Sequence, residues 1–392
     1  MAATVSLDFS KSSRPFFSEE HSMFRESLRK FIEKEAIPNF EQWEEDRLIP
    51  RSFWKKMADQ GYLCPQVDPA YGGLGLDFGF NVIICEELAR VGAGLGGVNI
   101  HNAIVVPYIE AYGTQEQKKK YLADCINGTI ITAIAMTEPG TGSDLANLRT
   151  TAVRDGDHYV VNGQKTFISN GIHSDLIVVA VKTDPHAKPA HKGVSLLLVD
   201  KDTPGFSRGR KLNKVGMHSQ DTAELIFEDA RVPVSNLLGA EGMGFPYLMQ
   251  KLQQERLLCA VGALVAAEDM LHLTTAYVKE RQAFGRSISS FQNTQFEISE
   301  MATEVQIGRV FVDDLIVKHM QGQDVVTQVS MAKWWVTDMA RRMSSRCMQL
   351  HGGYGYMEEY KIARRYRDIA ISPIFAGTNE VMKIIIAKNF GL

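Results

Sequence analysis

"TTAVRDGDHYVVNGQKTFISNG", Thr150 to Gly171, decides how this chain divides. Its apolar and polar residues alternate in short runs, the period of half-buried strands. Asp155-Gly156-Asp157 and Asn162-Gly163 read as hairpin turns, because Gly and Asn accept the positive φ that tight turns need. "DLIVVAVKT", "KGVSLLLVD" and "AELIFEDARV" follow as further strands. Strands this closely spaced, without helical runs between them, predict an antiparallel barrel or sandwich rather than a Rossmann unit.

On either side the period changes. From about Ser18 to Asn127 apolar residues recur at helical spacing, as in "HSMFRESLRKFIEKEAIPNF", "FGFNVIICEELARV" and "TQEQKKKYLADCI", around a Gly-rich loop from Asp68 to Gly79. From about Gly242 helical spacing returns in three long segments, and antiparallel packing through short loops makes these a bundle. The expected fold class is α+β multidomain: an α-helical domain over 1–128, a β-barrel domain over 129–240 and a helical bundle over 241–392.

The bulk numbers narrow the function. With 45% hydrophobic and 23% charged residues, the 392-residue chain has the composition of a globular protein with a large core. A net charge of -3 argues against nucleic acid as the main partner. No apolar run approaches a membrane span, so no membrane partner is expected. The five cysteines form no C-x-x-C pair, the pattern of reduced thiols rather than a disulfide framework. The N-terminus, "MAATVSLDFSKSSRPFFSEEH", reads as neither a secretory signal nor a transit peptide. The expected compartment is the bacterial cytoplasm, or the mitochondrial matrix if a presequence has been removed. HExxH, P-loop and C-x-x-C patterns are missing, so no metal site is expected.

Several short motifs each allow two readings. "GAGLGG", Gly92 to Gly97, follows a helix rather than a strand, which favours a helix cap and close packing over a dinucleotide turn. "MTEPGTGSD", Met136 to Asp144, is a plain loop or a ligand cradle. In "KTFISNG", Phe167 and Ser169 share a strand face and suit either a planar cofactor or a barrel core. In "LQQERLLCAVGALVAAE", Glu255 shares a helix face with Cys259, Gly262 and Ala266. A carboxylate heading such a stripe either borders a cavity as a desolvated base or is solvated at the surface. "RQAFG", Arg281 to Gly285, offers a guanidinium for phosphates or a solvated Arg. "QLHGGYGY", Gln349 to Tyr356, is a backbone-lined ligand contact or a tight turn. Ala376-Gly377-Thr378, before the last helix, is a permissive tripeptide suited to an oxygen-rich ligand.

Taken in order, "MTEPGTGSD", "NGQKTFISNG", "KERQAFGRSI", "QLHGGYGYMEEY" and "AGTNEVMK" resemble the acyl-CoA dehydrogenase family of flavoproteins over nearly the whole chain. The resemblance implies an α-helical domain, a β-barrel and a four-helix bundle, usually assembled as a homotetramer. It implies FAD as cofactor, an acyl-CoA as substrate and electron-transferring flavoprotein as partner. Ile134, Ala135, Met136, Thr137, Gly142 and Ser143 would line the flavin and the thioester end of the substrate, with Phe167, Ile168 and Ser169 beside the flavin N5 edge. Arg281, Phe284, Gln292, Gln349, Leu350, His351, Gly352 and Gly353 would hold pyrophosphate and adenosine, partly of a neighbouring subunit's FAD. Thr378, Asn379 and Glu380 would meet the FAD phosphate and ribose.

Many members carry their catalytic Glu immediately before the Gly-Thr, where this chain has Ala376. The long-chain and isovaleryl branches place it in the first bundle helix, within an E-R pair, here Glu255-Arg256. Glu255 is therefore the expected base, with Arg256 steering the CoA moiety or bracing the helix. Ser143, Gln253, Arg256, Ala376 and Gly377 are the expected substrate contacts. The "PIFAGTNEVMK" wording is nearer the long-chain branch, while Pro246 replaces an aromatic expected there. Within this fold the rivals are an acyl-CoA oxidase using oxygen and a DNA-binding alkylation-response flavoprotein.

Overall fold

The computed structural model describes residues 14–392, so most of the N-terminal stretch read for targeting lies outside the described residues. Helices come first: α1 (Glu19–Glu35), α2 (Phe40–Asp46), α3 (Arg51–Asp59), α4 (Phe78–Val91), α5 (Gly96–Asn99), α6 (Val106–Tyr112) and α7 (Gln115–Ile126). Between α5 and α6 the helix widens to a π turn over Ile100–Val105, a form that favours functional positions. Thr114 and Gln117 close a capping box at the head of α7.

Strands follow: β1 (Thr132–Ala135), β2 (Thr151–Asp155), β3 (His158–Ser169), β4 (Leu176–Lys182), β5 (Val194–Asp200), β6 (Phe206–Lys211) and β7 (Thr222–Pro233). They form one sheet in the order β1-β4-β2-β3-β7-β6, with β5 on β4. Two expectations change here. The sheet is mixed rather than antiparallel, because β1 pairs parallel to β4, Ile134 opposite Val178. Asn162-Gly163 is no hairpin turn but an irregularity inside β3, where the register with β7 shifts. Asn162 and Asp229 bond reciprocally across it, at 3.0 and 2.8 Å, which makes a local turn chemistry serve a bulge. Asp155-Gly156-Asp157 does turn the chain, with Gly156 at φ 61°.

The last part is helical: α8 (Gly244–Glu280), a two-residue hairpin β8 (Gln282–Ala283) and β9 (Arg286–Ser287), then α9 (Gln292–Met320), α10 (Val326–His351), α11 (Lys361–Ile369) and α12 (Asn379–Asn389). Contrary to the reading that no apolar run is long enough, α8 could cross a bilayer by length and composition. Of its most apolar window 72% is buried inside the fold, the mark of a core helix.

The chain forms two compact units. One comprises 31–84 and 94–255, the sheet and most of the early helices. Its sheet core is filled by Tyr159, Val161, Val179, Leu197, Leu225 and Phe227. The other takes the described residues 14–30, then 85–93 and 256–392. Within it a buried charge cluster ties three helices together: Glu86 of α4 meets Arg14 at 2.5 Å, Arg25 of α1 at 2.7 Å and Arg309 of α9 at 3.0 Å. Burial raises the Glu86 carboxyl, but the arginines outweigh it and hold it well below the usual range.

Candidate functional site

In the sheet-bearing unit the Met136–Asp144 loop leaves β1 and is fastened from below. Glu138 and Thr141 exchange backbone bonds at 2.9 and 3.1 Å. The Glu138 carboxylate accepts from Lys165 Nζ (2.8 Å) and from the Arg149 and Thr150 amides (2.6 and 2.9 Å). Lys165, fully buried, also donates to the Met136 carbonyl at 3.1 Å. Burial brings its ammonium down to about 8, against the pull of Glu138. This buried pair was not picked out in the sequence. It leaves Gly142 and Ser143 exposed at the loop tip, and a Cβ at Gly142 would meet nothing within 4 Å.

β3 ends in a strained aromatic. Phe167 stands at φ 59° with 69% of its surface exposed, next to the register shift between Lys165 and Ile168. The alternation read from the sequence therefore breaks, and Phe167 and Ser169 do not share an undisturbed strand face. An exposed ring held in left-handed backbone is costly unless something covers it. Its neighbour Ile168 is 2% exposed and packs in the sheet core, as does Ala135. These two predicted contacts can serve a ligand only through their backbone. Ile134, Met136 and Thr137 are half-buried.

Glu255 ends this unit's share of α8. It is 4% exposed, so the solvated reading fails. Its Oε1 accepts from the hydroxyl of Tyr108, itself fully buried on α6, at 2.8 Å. One turn earlier, burial lowers the Lys251 ammonium, against the pull of Glu110 and Glu255. Lys251, Gln254, Glu110 and Asn81 line a cavity of about 310 Å³. Tyr108, Lys251 and Glu110 were not anticipated; only their convergence, across 147 residues for the Tyr108–Glu255 pair, marks them. Gln253 is half-buried beside them. "GAGLGG" is the packing device expected: a Cβ at Gly94 would fall 1.9 Å from Ser219 Oγ, and one at Gly97 2.5 Å from Asn170 Oδ1.

The helical unit holds the rest. Arg281, Gln349, Leu350, His351, Gly352 and Gly353 come together around a cavity of about 540 Å³. Cβ atoms at Gly352 and Gly353 would meet nothing within 4 Å, so backbone is open to a ligand there. His351 is instead turned inward, its ring stacked on Tyr277 at 4.3 Å and its Nδ1 against the Cys347 carbonyl. Phe284 tips the β8–β9 hairpin at φ 52°, 96% exposed, and Gln292 opens α9 at the surface.

Before α12 the backbone is strained twice in succession, Ala376 at φ 53° and Gly377 at φ 90°. Both carbonyls are claimed from within. Arg256 Nε donates to Ala376 O at 3.2 Å and Lys333 Nζ to Gly377 O at 2.8 Å. Arg256 is 5% exposed, which supports bracing rather than steering of a substrate. Thr378 caps α12 through Val381 N, and Glu380 is exposed in its first turn. Asn379 departs from expectation: its side chain is buried and bonded to Lys333, Thr337 and the Trp334 carbonyl, leaving only backbone for a ligand. The Gly262 part of the Glu255 stripe faces Cys85 of α4, at 3.9 Å from an added Cβ.

Within the helical unit, open glycine backbone, a guanidinium and a helix N-terminus are donors that fit the phosphates of a flavin dinucleotide, and within the sheet-bearing unit the exposed Phe167 ring fits a planar ring system. Among the described residues no group of His, Cys, Asp or Glu could hold a metal ion.

Comparison with known proteins agrees. The N-terminal, middle and C-terminal domain models of acyl-CoA dehydrogenase match residues 18–129, 133–230 and 242–391. The chain is 46% identical to the long-chain specific acyl-CoA dehydrogenase of Sus scrofa mitochondria over 377 residues, 96% of this chain and 87% of that one. It is 37% identical to an acyl-CoA dehydrogenase of Bacillus subtilis over 95% of this chain and 98% of the relative. The crystal structure of an acyl-CoA dehydrogenase from Geobacillus kaustophilus superposes with a TM-score of 0.96 at 63% identity, covering 97% of this chain and all of that one.

Proposed function

We infer that this chain, which belongs to the acyl-CoA dehydrogenase family of FAD-dependent oxidoreductases, converts a fatty acyl-CoA to its trans-2-enoyl-CoA with Glu255 as the base. The observation that carries the reading is the buried Glu255 carboxylate, held by Tyr108 while Ala376 supplies no acid. The α-hydrogen of a thioester is weakly acidic, so its base must be desolvated and fixed in direction. Burial and the Tyr108 hydroxyl supply both. When bound, FAD supplies the acceptor for the β-hydride at its N5.

Phe167 walls the ring system, and Ser143 and Ser169 offer hydroxyl donors beside it. Arg281, Gln292 and the Gln349–Gly353 run take the pyrophosphate and adenosine, and Thr378 the phosphate at the head of α12. The 46% identity to long-chain relatives supports a long acyl chain. Transfer to electron-transferring flavoprotein, a homotetramer, and the domains 1–128, 129–240 and 241–392 belong to the same reading. Anaerobic titration of the yellow protein with straight and branched acyl-CoAs tests it. Bleaching of the flavin, strongest with long straight chains, is expected; no bleaching by any acyl-CoA overturns the reaction.

A further inference from the structure

Lys333 is fully buried on α10 and serves no reaction step. Its ammonium bonds the entry to α12: Gly377 O at 2.8 Å and Asn379 Oδ1 at 3.2 Å. Thr337 and the Trp334 carbonyl hold the same Asn379 side chain, each at 3.2 Å, and Asn379 N donates to Pro373 O at 2.9 Å. In a trans peptide the C=O and the following N–H point in opposite directions. With the Ala376 carbonyl held by Arg256 and the Gly377 carbonyl by Lys333, the Gly377 amide points away from Arg256 and the Thr378 amide away from Lys333. Backbone amides at a helix N-terminus are donors for an anion.

We propose that Lys333 is the positioning residue of the FAD phosphate site, aiming the Thr378 amide by holding the Gly377 carbonyl behind it. The proposal rests on the reading that places a phosphate of FAD at Thr378, and it adds a dependence on pH. Burial lowers the Lys333 ammonium to about 8, with Cys259 and Arg256 of α8 and Glu380 of α12 the charged or titratable groups facing it. An anion on the far side of the Gly377–Thr378 peptide favours the charged lysine, so affinity for FAD is full below that value and falls as pH rises through it.

The full-chain holoenzyme, diluted stepwise at pH 7 to 9, reports the Kd through the fluorescence of released FAD. For the wild type the Kd should climb by up to about fivefold between pH 8 and 9, the limit for one linked proton that titrates near 8 in the free protein. Lys333→Met should raise the Kd by about tenfold or more at pH 7, the scale of a lost charge-assisted bond, and flatten its pH dependence. Lys333→Arg should keep the neutral-pH affinity and also lose the slope. A wild-type Kd flat from pH 7 to 9 overturns the proposal, and so does wild-type affinity in Lys333→Met. Should Lys333→Met not fold, the wild-type slope and its loss in Lys333→Arg decide. Flavin release is read without acyl-CoA, so a failure to bleach with substrate counts against the reaction and leaves this result standing.

Discussion

Two buried glutamates, one in each unit, show how differently the same side chain can be partnered. Glu86 is saturated by Arg14, Arg25 and Arg309, and three helices depend on it. Glu255 is nearly as buried, yet it takes its hydrogen bond from a neutral hydroxyl, that of Tyr108. The guanidinium groups hold the Glu86 carboxyl well below the usual range. At Glu255 a phenol hydroxyl meets one oxygen, and the Lys251 ammonium feels its charge. Burial alone therefore does not separate the two acids; the character of their partners does.

Among the partners, the largest effect belongs to the structural acid. Glu86→Gln removes the carboxylate that Arg14, Arg25 and Arg309 share, leaving Asp313, Glu87 and Glu268 as their remaining partners. It should cost about 3 kcal/mol, read as a lower midpoint in thermal or urea melts. Because the folded Glu86 is depressed below its ordinary 4.5, its contribution is present above that pH and is lost as pH falls through the folded value. The gap between wild type and Glu86→Gln should thus narrow in acid. A gap independent of pH would show that the cluster is not what Glu86 contributes.

Next comes Tyr108→Phe, which removes the donor to Glu255 and leaves the ring. Without that bond the carboxylate loses the contact that fixes its direction, so flavin reduction should slow by roughly tenfold with FAD content unchanged. Reduction within twofold of wild type would break the contrast between the two acids. The smallest effect is at Ala376→Gly. Relief of a left-handed alanine should raise stability by up to about 1 kcal/mol, and flavin reduction should stay as it was. A loss of flavin reduction would give the Ala376 side chain a part that the geometry does not.

Much of this was legible in the chain. The change of period at either edge of the strand region is visible because helices and strands bury different faces, and the strands end where the apolar spacing returns to helical. Glu255 is singled out through the family resemblance, which places a base in the E-R pair where Ala376 is not an acid. What the sequence hides is what distance and backbone decide. Asn162-Gly163 has the chemistry of a turn, but pairing of both flanks with β7 makes it a bulge. Phe167, Phe284 and Ala376 are all residues that resist positive φ, and all three adopt it at predicted site positions. Tyr108 and Lys333 are ordinary helix residues until folding brings them to Glu255 and Gly377. Lys165 and Lys333 are moreover a recurring device: a fully buried lysine holding a loop carbonyl, Met136 in one unit and Gly377 in the other.

The central claim is that Glu255 takes the α-proton. Rapid anaerobic mixing of Glu255→Gln, loaded with FAD, with a long-chain acyl-CoA measures it most directly. Flavin reduction slower than wild type by more than about a thousandfold, with FAD and acyl-CoA still bound, is the predicted result. Reduction at nearly the wild-type rate would contradict it.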